Sequence, residues 1–172
     1  MKKALLFGSI GVLTETSELQ RRAYNMALKL NDIKYTWNIG TYCELLKKPG
    51  GKKRLSSFGG KILSDEQIEK IHIDKQQIFE DLVKDGIEPR PGCLQTLKKC
   101  KELGIKVGFI TTTTPKTINI IKEGLSNFLD FEDFDLITSN QKVTFDKPNP
   151  EVYKYALKEL GISANDAVAI ED

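Results

Sequence analysis

A single histidine, His72, in 172 residues removes any histidine-centred triad and any multi-histidine metal site from consideration. The three cysteines, Cys43, Cys93 and Cys100, form no CxxC pair, which favours reduced thiols in a cytoplasmic compartment over a disulfide framework. No apolar stretch approaches the ~20 residues that span a bilayer. The opening MKKALLFGSIGVL sets a basic pair before a short apolar run, but Thr14, Glu15 and Thr16 follow where a secretory leader would need a small-residue cleavage site. Charge of one sign is also missing: 26 lysines and arginines against 24 aspartates and glutamates leave +2, too little to suggest a nucleic-acid or membrane partner. Internal repeats and low-complexity tracts are absent. What remains is a chain whose 40% hydrophobic content can bury a core, with small polar or anionic ligands as the open class of partner.

Three short apolar runs, Ala4 to Phe7, Val107 to Ile110 and Val168 to Ile170, read as buried parallel strands, and Asp135 to Thr138 as a fourth. Between them lie helix patterns. Pro91 to Leu103 carries Leu94, Leu97 and Leu103, and Pro150 to Leu160 carries Val152, Tyr153, Ala156, Leu157 and Leu160. Gly104 and Gly161 supply left-handed stops, and Asn149 before Pro150 opens the second helix. This alternation predicts a doubly wound parallel sheet with its ligand site at the carboxyl ends of the strands. Residues 17–85 break the alternation and read as an inserted helical cap, leaving 1–16 and 86–172 as the α/β core. In the cap, Leu19, Ala23, Met26 and Leu30 share one helix face. Ser64 with Gln67 is a capping-box opening for a helix bearing Ile68, Ile71, Ile78 and Leu82, and KKPGGKKRL between them reads as a basic loop.

The strand ends hold the chemistry. In TTTTPK, Thr111 offers a hydroxyl and Thr112 lies beside it, ahead of a helix opened by Pro115; an anion cradle and plain helix capping both fit. In FDKPNPEVY, Lys147 precedes two prolines that can aim it, or is a solvated loop lysine. In VAIED, Glu171 and Asp172 arrive together at a strand end, a plausible seat for magnesium or a solvated turn.

Taken in order, LLFGSIGVLTETSE, ELLKKPGGKKRL, RPGCLQTLKKCKELGIKVGFITTTTPKTI and KPNPEVYKYALKELGI to VAIED resemble the haloacid dehalogenase superfamily. The resemblance covers essentially the whole chain, and the branch is the one holding beta-phosphoglucomutase and the CbbY-like sugar-phosphate phosphatases. It implies an α/β fold, a Rossmannoid parallel sheet with an all-helical cap inserted, in a monomeric protein that binds a phosphorylated sugar or phosphate and uses Mg2+. It implies phosphate contacts from Thr111, Thr112 and Lys147 and metal ligands from Glu171 and Asp172, with a further ligand from the Ile10 carbonyl. Lys52, Lys53 and Arg54 would meet a distal phosphate. The chain departs from the family pattern where an Asp-x-Asp-Gly motif should stand. Gly8 replaces the nucleophile and Ile10 the acid and base, so neither carboxylate is there to take the phosphoryl group or deliver a proton. The family also continues beyond its Glu-Asp pair, so the expectation is a core incomplete at its C-terminal side.

Three functions follow from that departure: a phosphosugar-binding protein without turnover, a phosphatase that recruits Glu15 or Glu18 as a substitute carboxylate, or a scaffold that docks partners through the basic cap loop. Ser9 should point away from the site by strand alternation, and His72 lies on the cap helix.

Overall fold

The computed structural model describes residues 2–8, 10–47, 50–57 and 63–172. They divide into two compact units, Met1–Thr16 with Gly86–Asp172, and Ser17–Asp85.

The first unit is built on four parallel strands, β1 (Ala4–Phe7), β2 (Lys106–Phe109), β3 (Leu136–Ile137) and β4 (Ala167–Ile170), in the order β3-β2-β1-β4. β1 is central. Its register aligns Phe7 with Phe109 on one side and with Ile170 on the other, so all three strands finish at one level. Three helices belong to this sheet: α1 (Cys93–Glu102), α2 (Pro115–Gly124) and α3 (Glu151–Leu160). α3 lays Val152, Ala156 and Leu160 onto Leu6 and Ile110, while Phe7, Phe109, Phe131 and Phe134 form an aromatic cluster with centroids 5.5–6.1 Å apart. A bridge between Thr14 and Pro89 draws the two crossings between the units together; the Thr14 hydroxyl donates to Glu88 O at 2.7 Å and Arg90 N to Leu13 O at 2.7 Å.

Several expectations are corrected. α1 starts two residues later than read and buries Cys93, Leu97 and Cys100, while Leu103, placed on its buried stripe, is 47% exposed. The stripe is turned because the thiols, small and apolar, take the inward positions. β4 is a parallel strand as expected but not a buried one: among the described residues it lies at the sheet edge with Val168 and Ile170 about 40% and 39% exposed. β3 is shorter than read, with Thr138 just beyond it fully buried.

The second unit consists of α4 (Ser17–Leu30), α5 (Ile39–Leu46), α6 (Gly51–Ser56) and α7 (Asp65–Lys84). Ser64 and Gln67 close a reciprocal capping box on α7. α4 buries Ala23, Tyr24, Ala27 and Leu28 rather than the expected face, leaving Met26 and Leu30 at 47% and 65% exposure. The reason is Trp37. Its ring lies 4.7 Å from Tyr24 and 5.9 Å from Tyr42, and Asn25 and Arg21 clamp its backbone, so the aromatic face of the helix turns inward. The basic segment read as a loop is the helix α6; Lys48 and Pro49, at the start of that reading, lie outside the described residues.

Lys75 is a charged residue in this apolar unit. It is 4% exposed, its ammonium donates to Gln20 Oε1 and lies 4.9 Å and 5.0 Å from the Tyr24 and Phe79 ring centres. Burial, with the nearby Arg54 charge adding to it, pulls its pKa down to about 7. An unfolded lysine titrates near ~10.4, so between about pH 7 and that value the unfolded chain binds the extra proton and stability rises with pH. Lys75→Met should therefore flatten this slope, with a gain in stability at about pH 6 that shrinks by about pH 9. Urea unfolding followed by the fluorescence of Trp37, the one tryptophan of the chain, measures it.

Candidate functional site

The common level of the strand ends decides which side chains meet. Phe7 pairs with Ile170, so the next residues along, Gly8 and Glu171, fall side by side, and Gly8 N donates to Ile170 O at 2.8 Å. Paired residues of parallel strands face the same way. With no side chain on Gly8, the Glu171 carboxylate folds into the empty place. A Cβ built on Gly8 would lie 2.5 Å from Glu171 Oε1 and closer still to its carboxyl carbon and to the Tyr153 hydroxyl, inside the 3.0 Å that real Cβ atoms keep.

Two groups hold that carboxylate. Lys147 Nζ lies 3.0 Å from Oε1 and 3.3 Å from Oε2, and the Tyr153 hydroxyl donates to Oε1. Lys147 comes from the Pro-rich turn and Tyr153 from the first turn of α3, where the ammonium also sits 5.4 Å from the Tyr153 ring centre. The lysine side chain is 20% exposed and the glutamate 43%. Burial lowers the Lys147 pKa, with Glu171 opposing the shift; for Tyr153 burial and then the Glu171 charge raise the pKa, so the phenol keeps its proton and donates. Asp172 behaves alike one step along, because its Oδ2 lies where a Cβ on Gly11 would be.

Thr111 is 5% exposed, just past β2. Its NH donates to Thr138 Oγ1 at 2.9 Å, and its own Oγ1 accepts from Thr113 N at 3.1 Å. The hydroxyl proton is left to donate. The α2 helix is capped by Thr114, whose side chain accepts from Thr117 N, and the Thr111 bond to Thr113 N is a local turn bond, so capping and turn chemistry account for both residues. The Ile10 carbonyl accepts from Thr14 N at 2.8 Å. Ser9 lies outside the described residues.

The substitute carboxylates are paired with arginines: Glu15 with Arg90 at 2.6 Å, whose Nε also donates to Gly11 O, and Glu18 with Arg21 at 2.7 Å. Lys52 pairs with Glu69, and Arg54 Nε donates to Leu45 O at 3.1 Å. His72 is half-buried, with burial lowering its pKa and no partner for Nδ1 among the described residues.

Magnesium does not fit this arrangement. It takes oxygen ligands, commonly one or two carboxylates with waters. Both Glu171 oxygens already face an ammonium, Gly8 contributes none, and no three acidic, histidine or cysteine side chains converge among the described residues. Tyr153 is the participant that reading the sequence missed, since its place on the apolar stripe of α3 concealed a hydroxyl at the strand ends. Counting residues past each strand, one to Gly8 and one to Glu171, would have found the other half.

The haloacid dehalogenase-like hydrolase profile matches residues 2–172. The CbbY protein of Cereibacter sphaeroides is 34% identical over 176 residues, covering 100% of this chain and 76% of its own. Crystal structures of Rhodobacter sphaeroides CbbY, one of a variant with xylulose-(1,5)bisphosphate and one with phosphate, superpose with TM-score 0.88 at 34% identity, over 100% of this chain and 78% of theirs. A beta-phosphoglucomutase from Clostridium difficile shares the fold, with TM-score 0.81 at 23% identity over 100% of this chain and 77% of its own.

Gly8 is outside the left-handed region, and the atoms nearest to a side chain there belong to Glu171 and Tyr153. Gly8→Ala should cost about 1–2 kcal/mol by expelling Glu171 from its hydrogen bonds, and less than that when Glu171→Ala is already present, the remainder being displacement of the Tyr153 hydroxyl. Denaturant unfolding followed by circular dichroism of the four chains completes the cycle.

Proposed function

The chain belongs to the haloacid dehalogenase-like hydrolases, and from that premise we propose that it binds phosphate or a phosphorylated sugar at its strand ends without turning it over by the two-aspartate route. The observation that carries the reading is the cationic and hydroxyl pair retained beside a missing nucleophile. Lys147 is held over the strand ends, Thr111 keeps a hydroxyl proton to donate, and Gly8 has no carboxylate to attack phosphorus. Thr112 adds a backbone and hydroxyl contact to the same anion. Ile10 removes proton delivery to the leaving oxygen, an effect typically worth 10²–10⁴-fold. The relatives support the ligand class, since CbbY has been crystallised with phosphate and with a bisphosphosugar. Lys52, Lys53 and Arg54 belong to this proposal as contacts for a second phosphate, which requires Lys52 to exchange Glu69 for the ligand.

Phosphatases of this family generally use Mg2+. When bound, such an ion neutralises charge on the transferring phosphoryl group. In this chain that neutralisation falls to Lys147, whose ammonium can meet a phosphate oxygen as it meets Glu171. Thr111 orients a second oxygen, and burial of its hydroxyl keeps water from competing. The alternative of a working phosphatase using Glu15 or Glu18 requires the glutamate to leave its arginine, Arg90 or Arg21.

The test is phosphate release from xylulose-(1,5)bisphosphate, with and without Mg2+, alongside direct binding of inorganic phosphate. The expected result is binding without release in the native chain, binding lost in Lys147→Ala, and release regained, with Mg2+ only, in Gly8→Asp, Ile10→Asp. Sustained release by the native chain would overturn the reading.

A further inference from the structure

The Gly8 and Glu171 arrangement carries a consequence for binding. We propose that Glu171 is a resident anion of the strand-end site: it occupies the volume that Gly8 leaves, holds the Lys147 ammonium, and has to be displaced by an incoming phosphate, which makes anion binding here competitive with Glu171 and independent of Mg2+. The inference rests on the phosphate reading above.

Three observations converge. The first is volume: the Glu171 carboxylate lies against the Gly8 Cβ position, closer than real Cβ contacts allow, so it takes space that a side chain on residue 8 would need. The second is charge. Lys147 faces both Glu171 oxygens at 3.0 Å and 3.3 Å, so its ammonium is already paired with a carboxylate. The third is the donor set. Tyr153 donates to Oε1, and a hydroxyl proton aimed at an oxygen takes up a lone pair that a metal ion would need. A carboxylate so engaged is an acceptor in a filled anion site.

Displacement is feasible on the same geometry. Glu171 is 43% exposed and swings on a flexible side chain, while Lys147 at 20% exposure is held by its turn and by the Tyr153 ring. Phosphate brings more charge and more acceptor oxygens than a carboxylate, so the ammonium and the Tyr153 hydroxyl can both be transferred to it. Removing the negative charge of Glu171 takes away the competitor and the repulsion together. A Cβ on Gly8 expels the carboxylate by volume without deleting it, and pushes on the Tyr153 hydroxyl as well, so its gain in affinity should be the smaller of the two.

Calorimetric titration with inorganic phosphate decides it, using the whole chain, Glu171→Gln and Gly8→Ala, each in EDTA and in millimolar Mg2+. The expected result is phosphate affinity higher by on the order of tenfold in Glu171→Gln and by a smaller factor in Gly8→Ala, with no dependence on Mg2+ in any of the three. Binding that needs Mg2+ and is lost in Glu171→Gln would make Glu171 a metal ligand and overturn the inference. Native binding left unchanged by both substitutions would also overturn it while the phosphate reading stands. Phosphate bound by none of the three folded chains, as judged by circular dichroism, would overturn both.

Discussion

The register of the central strand governs everything that happens at the candidate site. β1 has only four residues, yet it is paired on both sides, and Phe7 is level with Phe109 and Ile170. Because strands of one sheet share a rise of roughly 3.3 Å per residue, a slip of one position would exchange inward and outward side chains along its whole length. The buried Leu6 and Phe7 forbid that slip, one packing under α3 and the other in the aromatic cluster. The positions just past the strands are thereby set without any contribution from the polar residues that occupy them.

Given that constraint, the polar residues arrange themselves by charge and available volume. Gly8 offers space, Glu171 has the length to fill it, and Lys147, largely buried, needs a counter-charge. An ammonium that is mostly desolvated is costly unless it is paired, so the glutamate is drawn to it as much as admitted by the glycine. Tyr153 completes the pair as a neutral donor. Lys75 in the helical unit shows the contrasting outcome: with Gln20 and two aromatic rings but no carboxylate recorded against it, its pKa falls instead.

Much of this was present in the sequence. The four parallel strands, though not their order in the sheet, followed from apolar runs bounded by turns, and the chain breaks at Gly104 and Gly161 take φ values of 65° and 66°, as left-handed stops should. Lys147, Thr111 and Glu171 were singled out by their places at strand ends. What could not be read was set by packing between distant segments. The inward face of α4 is chosen by Trp37, which is remote from its apolar stripe. The burial of β4 depends on neighbours and not on its own apolar letters, and the basic segment from Gly51 became a helix despite its glycines. Likewise the loss of a side chain at residue 8 reads in one dimension as a missing group. In three dimensions it is a space into which another group moves.

That distinction bears on the metal. Lys147 cancels the charge of Glu171 and engages both of its oxygens, so that carboxylate has little pull left for a divalent cation, and Asp172 beside it supplies one further negative charge. Place an aspartate at residue 8 and the same volume must hold two carboxylates against one ammonium. Either one carboxylate leaves, or a cation enters to separate them, since like charges at contact raise the free energy of both. The family's magnesium and its first-strand aspartate are on this view one variable and not two. A chain that gives up the carboxylate loses the nucleophile, and also the local excess of negative charge that made a metal ion the favourable occupant. Lys147 then remains as a largely buried positive charge facing the volume that the carboxylate vacated, and this is the premise on which the proposed anion binding rests.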